Sequence, residues 1–317
     1  MRRRLVLLAL LVAAAPAAFC APAPAATVND PVIGVGEQSA ALFSDPYYER
    51  LGLRHVRYVV GWDALRHAWS RAEVDAWMAE AKAARARVLL AFNVSRDETR
   101  HHIVPTVAQY RRAFLSFRRR YPFVREFISW NEGNHHSQPT ARRPGLAARY
   151  FAAAQRACPR CRIVAADLLD DDTVGRWVKR FRRYATVKPR IWGLHNYIDA
   201  NRFRTSGTRA MLKATRTGRV WFTETGGLVW RRGGLPLNES APHAAKATRW
   251  VFKLANLSRR VKRVYFYHWT FPERLDRWDS AIMNRRGRPR PAYKVLRNRL
   301  RAAEQRAARG TEPARRR

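Results

Sequence analysis

The chain has 317 residues, of which 47% are hydrophobic, 11% aromatic and 27% charged. That balance supplies a sizeable core and excludes wholesale disorder. Lys and Arg number 62 against 24 Asp and Glu, a formal net charge of +38. The one membrane-like apolar stretch sits at the extreme N-terminus, which excludes a multi-span membrane protein.

Arg2, Arg3 and Arg4 precede an apolar run from Leu5 to Phe19, then the small-residue segment Ala21-Pro22-Ala23-Pro24-Ala25-Ala26. A basic start, a short apolar middle and an A-x-A-like site predict a secretory signal peptide over residues 1–26, cut near Ala25 or Ala26. The run falls short of the roughly 20 residues that span a bilayer. Cys20 does not make it a lipoprotein leader, because bulky Phe19 stands where a lipid-attachment motif wants a small residue. The mature protein is therefore expected outside the cell, with no membrane span after processing. Its remaining cysteines are Cys158 and Cys161, in Cys158-Pro159-Arg160-Cys161. No second pair completes a zinc site, and an oxidising destination favours a local disulfide there over redox chemistry.

Eight short β-branched and aromatic runs follow: Val32–Val35, His55–Val60, Val88–Asn93, Glu126–Trp130, Ile163–Asp167, Ile191–Asn196, Val220–Thr223 and Val264–Trp269. Between them lie helix-length amphipathic segments. Ser70-Arg71-Ala72-Glu73 reads as a capped helix start, and Gly145–Ala157 and Ala241–Leu257 have helical spacing. Apolar strands alternating with helices predict a parallel sheet covered by helices. Eight units in one uninterrupted domain, residues 27–300, fit an α/β (β/α)8 TIM barrel. The alternative is a doubly wound open sheet, but Gly34-Val35-Gly36-Glu37-Gln38 lacks a full dinucleotide fingerprint. Residues 301–317, ending in Arg315-Arg316-Arg317, are expected to form a basic disordered tail.

A barrel places its chemistry at the C-terminal ends of its strands. The fourth run leads into Trp130-Asn131-Glu132-Gly133-Asn134, the sixth ends Leu194-His195-Asn196-Tyr197, the seventh reads Val220-Trp221-Phe222-Thr223-Glu224 and the eighth ends Tyr267-His268-Trp269. Strand ends are polar simply because they meet water, so one such Glu means little. Two of them on nonadjacent strands, with Arg57, His195, Tyr197 and Trp269 at the same rim, form a constellation. A carboxyl pair across a pocket suits glycoside hydrolysis, one protonating the leaving oxygen while the other attacks the anomeric carbon or activates water. Trp130 and Trp269 are expected to stack on sugars, and Asn131 and Asn196 to bond hydroxyls. Asp167 ends the fifth run, either lining the cleft or supporting it. His101-His102 and His135-His136 have no HExxH or carboxylate spacing around them, so no metal is expected. Asp170-Asp171-Asp172 reads as a capped helix start, and no Gly-x-Ser-x-Gly occurs.

In these features the chain resembles the clan A glycoside hydrolases over nearly all of the mature sequence. The resemblance implies that Glu132 is the general acid/base and that Asn131 beside it meets the sugar 2-hydroxyl. It implies that Glu224 is the nucleophile, that Arg57 holds that carboxylate ionised, and that Tyr197, in a His195-x-Tyr197 pair, lies near it. Trp269 would floor the sugar subsite. Trp278–Asn284 with Gly287 and Arg290-Pro291-Ala292-Tyr293 is similar to the clan's turn before its last helix. Gly133 departs from the Pro found there in several clan families.

The resulting expectation is a secreted, retaining glycosidase acting on a poly- or oligosaccharide, with no cofactor. Glu132, beside Trp130 in a partly desolvated cleft, is expected to have a raised pKa. Retention calls for carboxyl groups roughly 5–5.5 Å apart, inversion for roughly 6.5–9.5 Å. Two other classes compete: a non-catalytic polysaccharide-binding barrel, and a binder of anionic polymers driven by surplus Arg and Lys. The basic residues are scattered and form no nucleic-acid motif, so weak association with anionic cell-surface polymers is the most that the charge implies.

Overall fold

The computed structural model describes residues 29–233, 239–271 and 278–311, with side chains as far as residue 308. The expected signal peptide lies outside the described residues, as do residues 312–317.

All eight runs form strands. They are β1 (Val32–Gly36), β2 (His55–Gly61), β3 (Arg87–Asn93), β4 (Glu126–Ile128), β5 (Arg162–Val164), β6 (Asp167–Leu169), β7 (Ile191–His195), β8 (Arg219–Thr225) and, after the short rim strand β9 (Trp230–Arg231), β10 (Val261–Tyr267). Their hydrogen-bonded order is β5-β4-β3-β2-β1-β10-β8-β7-β6. β5 and β6 are halves of one stave, parted at Ala165 and Ala166. Ser129 N–H donates to Val164 O at 3.1 Å on one side. On the other, Ala165 N–H donates to Ile191 O at 2.9 Å and Gly193 N–H to Ala166 O at 2.8 Å. The two ends of the sheet therefore meet, and a closed (β/α)8 barrel replaces the open-sheet alternative.

The helices α1 (Pro46–Leu51), α2 (Ala68–Ala83), α3 (Val107–Arg120), α4 (Pro144–Ala157), α5 (Val174–Tyr184), α6 (Tyr197–Asn201), α7 (Ser206–Thr215), α8 (Ala241–Ala255) and α9 (Pro291–Thr311) surround it. A capping box of Thr106 and Gln109 starts α3, and proline opens α4. The expected cap at Ser70 is displaced. His67, extended, already accepts from Arg71 N–H at 2.8 Å, so α2 begins at Ala68 and buries Ser70 in its first turn. Asp170 does not start α5 either; its two oxygens accept from the Ile198 and Asp199 N–H groups of α6. Cys158 and Cys161 form a disulfide between α4 and β5. α9 runs past residue 300 to Thr311, so residues 301–311 are helical. Asp30 grips it through Arg299 at 2.7 Å and Arg306 at 2.7 Å.

Leu89, Ala91, Ile128, Val164, Ile191, Trp221 and Tyr265 fill the barrel interior, and a larger apolar belt joins strands to helices. Beneath the interior layer, buried Glu126 accepts from Arg263 across the barrel and from Arg162 at 2.7 Å. Burial raises the Glu126 carboxyl, but the two guanidinium groups outweigh it and hold it below its ordinary value. Removing one partner of a buried pair strands the other. Glu126→Ala should lower unfolding free energy by about 3–5 kcal/mol, and Glu126→Met with Arg263→Met should recover most of it. Urea denaturation reads both; an E126A protein of unchanged stability would refute the strut.

Candidate active site

The C-terminal ends of the strands converge on Arg57, a β2 residue only 1% exposed. Its Nη1 donates to Glu224 Oε2 at 2.8 Å, and its Nη2 donates to Asp167 Oδ2 at 3.0 Å and to the Asn131 side-chain oxygen. His195 Nε2 reaches the same Asp167 oxygen at 2.8 Å, and His195 Nδ1 lies 3.3 Å from Glu132 Oε1. Tyr197 donates its hydroxyl to Glu224 Oε1 at 3.2 Å. Five strands thus meet in one network.

Local irregularities aim these side chains. Strict alternation from Trp221, which is inside, would send Thr223 inward and Glu224 outward. The register with β7 jumps at Leu194–His195, which pairs His195 with Glu224 and leaves Thr223 as the extra residue of a bulge. Such a bulge re-aims the residue beside it, so both Thr223 and Glu224 face the interior. The break at Ala165–Ala166 does the same for Asp167. Asp167 accepts from Thr223 directly above Gly193, where any Cβ would overlap both side chains. Glu132 follows β4 with φ 47°, a left-handed conformation that Glu adopts at a cost of about 1–3 kcal/mol. Such outliers concentrate where a side chain must point in one direction for function.

The charges are set by this packing. Burial alone would pull the His195 imidazole down, but Asp167, Glu224 and Glu132 overrule it and push it up to about 10. Burial raises Asp167, yet His195 and Arg57 hold it at about 2. Glu132 departs from expectation. Burial does raise it, but the hydrogen bond and positive charge of His195 prevail, so its pKa is lowered. The imidazolium of His195, brought in from β7, decides the sign. Tyr197 is pushed well above 10 by burial and by Glu224, so its hydroxyl remains a donor.

One oxygen each from Glu132 and Glu224 and one nitrogen of His195 lie within 4.8 Å of one another. Such a trio can also hold a cation. In the structure each ring nitrogen of His195 faces a carboxylate, Nδ1 towards Glu132 and Nε2 towards Asp167.

Glu132, Glu224, Arg57, Asn131, His195 and Tyr197 are therefore brought together. Trp269 is not. It is 0% exposed, edge-on to Tyr48 and Tyr293, with its indole N–H donated to Asp45 at 2.9 Å. β10 ends at Tyr267, so Trp269 lies beyond the strand, where the chain tucks the ring under α1. It offers no face to a sugar. Trp130 is likewise buried, bonded to Gln138 at 3.0 Å, and Asn196 is wholly inside. The aromatic groups at the site are instead Tyr267, half-buried with Glu224 and Glu132 in its field, and Trp278, whose ring stands edge-on to Tyr197 at 4.7 Å. Tyr267 ends its strand as His195 does, a signal present in the sequence. Trp278 belongs to a rim strand, β11 (Trp278–Asp279), paired with β9; the sequence marked it as the start of the turn before the last helix and not as part of the site.

No protein-family model and no curated protein sequence matches the chain. Solved structures do. A GH5_18 protein from Streptomyces cattleya in complex with GlcNAc superposes with a TM-score of 0.61 at 16% identity, covering 92% of this chain and 83% of that one. Xylanase 10B from Thermotoga petrophila RKU-1, in complex with xylobiose, gives 0.63 at 13% identity, with 87% and 95% covered. A GH113 beta-1,4-mannanase gives 0.54 at 12%, with 87% and 99% covered. The chain has the (β/α)8 barrel fold of these glycoside hydrolases.

The His195 protonation is directly measurable. Folding lifts the imidazole from 6.5 to about 10, so its stabilisation is complete below pH 6.5 and lost as pH rises through about 10. Imidazole NMR should show a cation at neutral pH that titrates near 10. In Asp167→Asn the midpoint should fall by about 1–3 pH units. A wild-type midpoint near 6.5 would overturn this electrostatic account.

Proposed function

We propose that the chain is a secreted retaining glycoside hydrolase in which Glu224 is the nucleophile and Glu132 the acid/base. The observation that carries this reading is the carboxyl pair within 4.8 Å at one barrel mouth, with Arg57 fixed on Glu224. Oxygens approaching this closely favour the roughly 5–5.5 Å carboxyl spacing of retention over the roughly 6.5–9.5 Å that leaves room for an inverting water. The sugar ligands of the xylanase and GH5_18 neighbours support a carbohydrate substrate, and the N-terminal sequence supports export.

In the first step Glu224 attacks the anomeric carbon while a proton passes from Glu132 to the leaving oxygen, and the glycosidic bond breaks. In the second, Glu132 takes a proton from water, whose oxygen displaces Glu224 from the sugar. The lowered pKa of Glu132 is compatible with the acid role because His195 holds a proton 3.3 Å away. A glycan covering the cleft removes water from the Glu132–His195 ion pair. Desolvation then favours the neutral pair, with the proton on Glu132 and Nε2–H still on Asp167. Arg57 and Tyr197 keep Glu224 oriented for attack, and Asn131, its oxygen fixed by Arg57, presents its amide N–H group to a sugar hydroxyl.

Hydrolysis of a glycan panel, read by NMR of the first-formed anomer, should show retention. Glu224→Ala should lower kcat/KM by about 10⁴-fold or more, and azide should restore turnover as a glycosyl azide of inverted configuration. An active Glu224→Ala protein would refute the assignment. The pH profile tests the shared proton, which the pair keeps until about 10. The alkaline limb of kcat/KM should lie there in the wild type and move several pH units towards acid in His195→Asn. A limb indifferent to that substitution would remove His195 as the proton store.

A further inference from the structure

We propose that a groove beside Glu132 binds anionic polysaccharide, so that the glycan cut at Glu132 and Glu224 lays carboxylate or sulfate groups over Arg142, Arg143, Arg176 and Arg180. The proposal rests on the glycosidase reading and narrows its substrate.

α5 buries Val174, Trp177, Val178 and Phe181 and turns Arg176, Lys179, Arg180 and Arg183 to solvent. Spacings of three and four put these cations in one stripe, with neighbours about 5–6 Å apart, the scale of one hexose. Arg142 and Arg143, exposed on the approach to α4, face the stripe across a groove of about 660 Å³. None of Arg142, Arg143, Arg176 and Arg180 has a carboxylate within ion-pair distance among the described residues, although Arg96, Arg120, Arg299 and Arg306 elsewhere on the molecule do. Asp171, just before α5, spends one oxygen on Thr173. A second hollow of about 520 Å³ continues the track past Lys179 and Arg183 to Lys213.

The lining of the groove begins two residues past Glu132, at Asn134 and His136. Gly133 follows Glu132 and packs so closely on Trp177 of α5 that a Cβ would sit 3.1 Å from the ring. That contact accounts for glycine where related enzymes carry proline. His135 lies close enough to Glu132 to lower its pKa, and its ring is 4.1 Å from that of His136, which lines the groove. On this proposal a glycan leaving the cleft passes over His135 and His136 to reach these arginines. Guanidinium forks match carboxylate and sulfate oxygens in pairs. The groove's tryptophan, Trp177, is buried against Gly133 and its one exposed ring among the described lining residues is that of His136, so arginines dominate its accessible surface, as suits an anionic glycan.

The test measures binding of full-length Glu224→Gln protein to heparin, polygalacturonate and neutral arabinoxylan in low salt. At least one anionic polymer should bind more tightly than arabinoxylan. Its Kd should rise about tenfold in Arg176→Glu with Arg180→Glu. The same reversal at Arg111 and Arg112 on α3 should change it by less than about twofold. Arg176→Gln with Arg180→Gln, which removes charge without reversing it, should give an intermediate loss at unchanged melting temperature. Heparin against polygalacturonate separates sulfate from carboxylate recognition. Equal binding of neutral and anionic polymers, equal sensitivity to both reversals, or DNA binding as tight as heparin would each overturn the proposal. Anionic binding lost only with the α5 pair, but without hydrolysis of any glycan by protein that retains Glu224, would support the groove and refute the glycosidase. Salt-independent hydrolysis of arabinoxylan, unchanged by the α5 reversal, would do the opposite.

Discussion

A guanidinium with no access to water must be surrounded by compensating charge, and that requirement at Arg57 organises the upper half of the barrel. Asp167, Glu224 and Asn131 come from three staves and reach one cation from three directions. His195 adds a second cation, so the cluster holds two positive groups among the carboxylates of Asp167, Glu132 and Glu224. Each carboxylate is tolerated inside because a cation is shared with its neighbour. The arrangement positions the site as well as stabilising it: a shift of any one stave leaves a buried charge unmatched.

The same coupling explains why Glu132 is not the isolated, proton-retaining acid that its apolar surroundings suggest. Desolvation and the nearby imidazolium act in opposite directions, and at 3.3 Å the imidazolium prevails. What the cleft stores is one proton between two groups. Its position depends on whether water or a ligand fills the mouth.

The barrel was legible because apolar runs of four to six residues, separated by helix-length segments, have few other solutions. The polar residues closing those runs marked Glu132, Glu224 and His195, and Arg57 stood out as a charge inside the second run. What sequence could not convey was parity. Alternation along Val220–Thr223 sends the next side chain outward, and only the bulge at Thr223 brings Glu224 in. The break at Ala165–Ala166 likewise turns Asp167 from a residue of unclear orientation into the central anion. Trp269 and Trp130 show the opposite error: aromatic rings near strand ends are as often packed under helices as displayed to a ligand. Their burial depends on Tyr48, Tyr293 and Tyr150, all distant in the chain. The groove beside α5 was invisible for the same reason, since its arginines look like scattered surplus charge until α4 and α5 are placed side by side.

The grip of Asp30 on α9 has a consequence for topology. It brings the beginning of the barrel and its last helix into contact, so a short peptide could join them without crossing the fold. Domains whose first strand and last helix adjoin in this way tolerate circular permutation, and new ends opened in a surface loop at the N-terminal ends of the strands leave the rim that carries Arg57, Glu132 and Glu224 uncut.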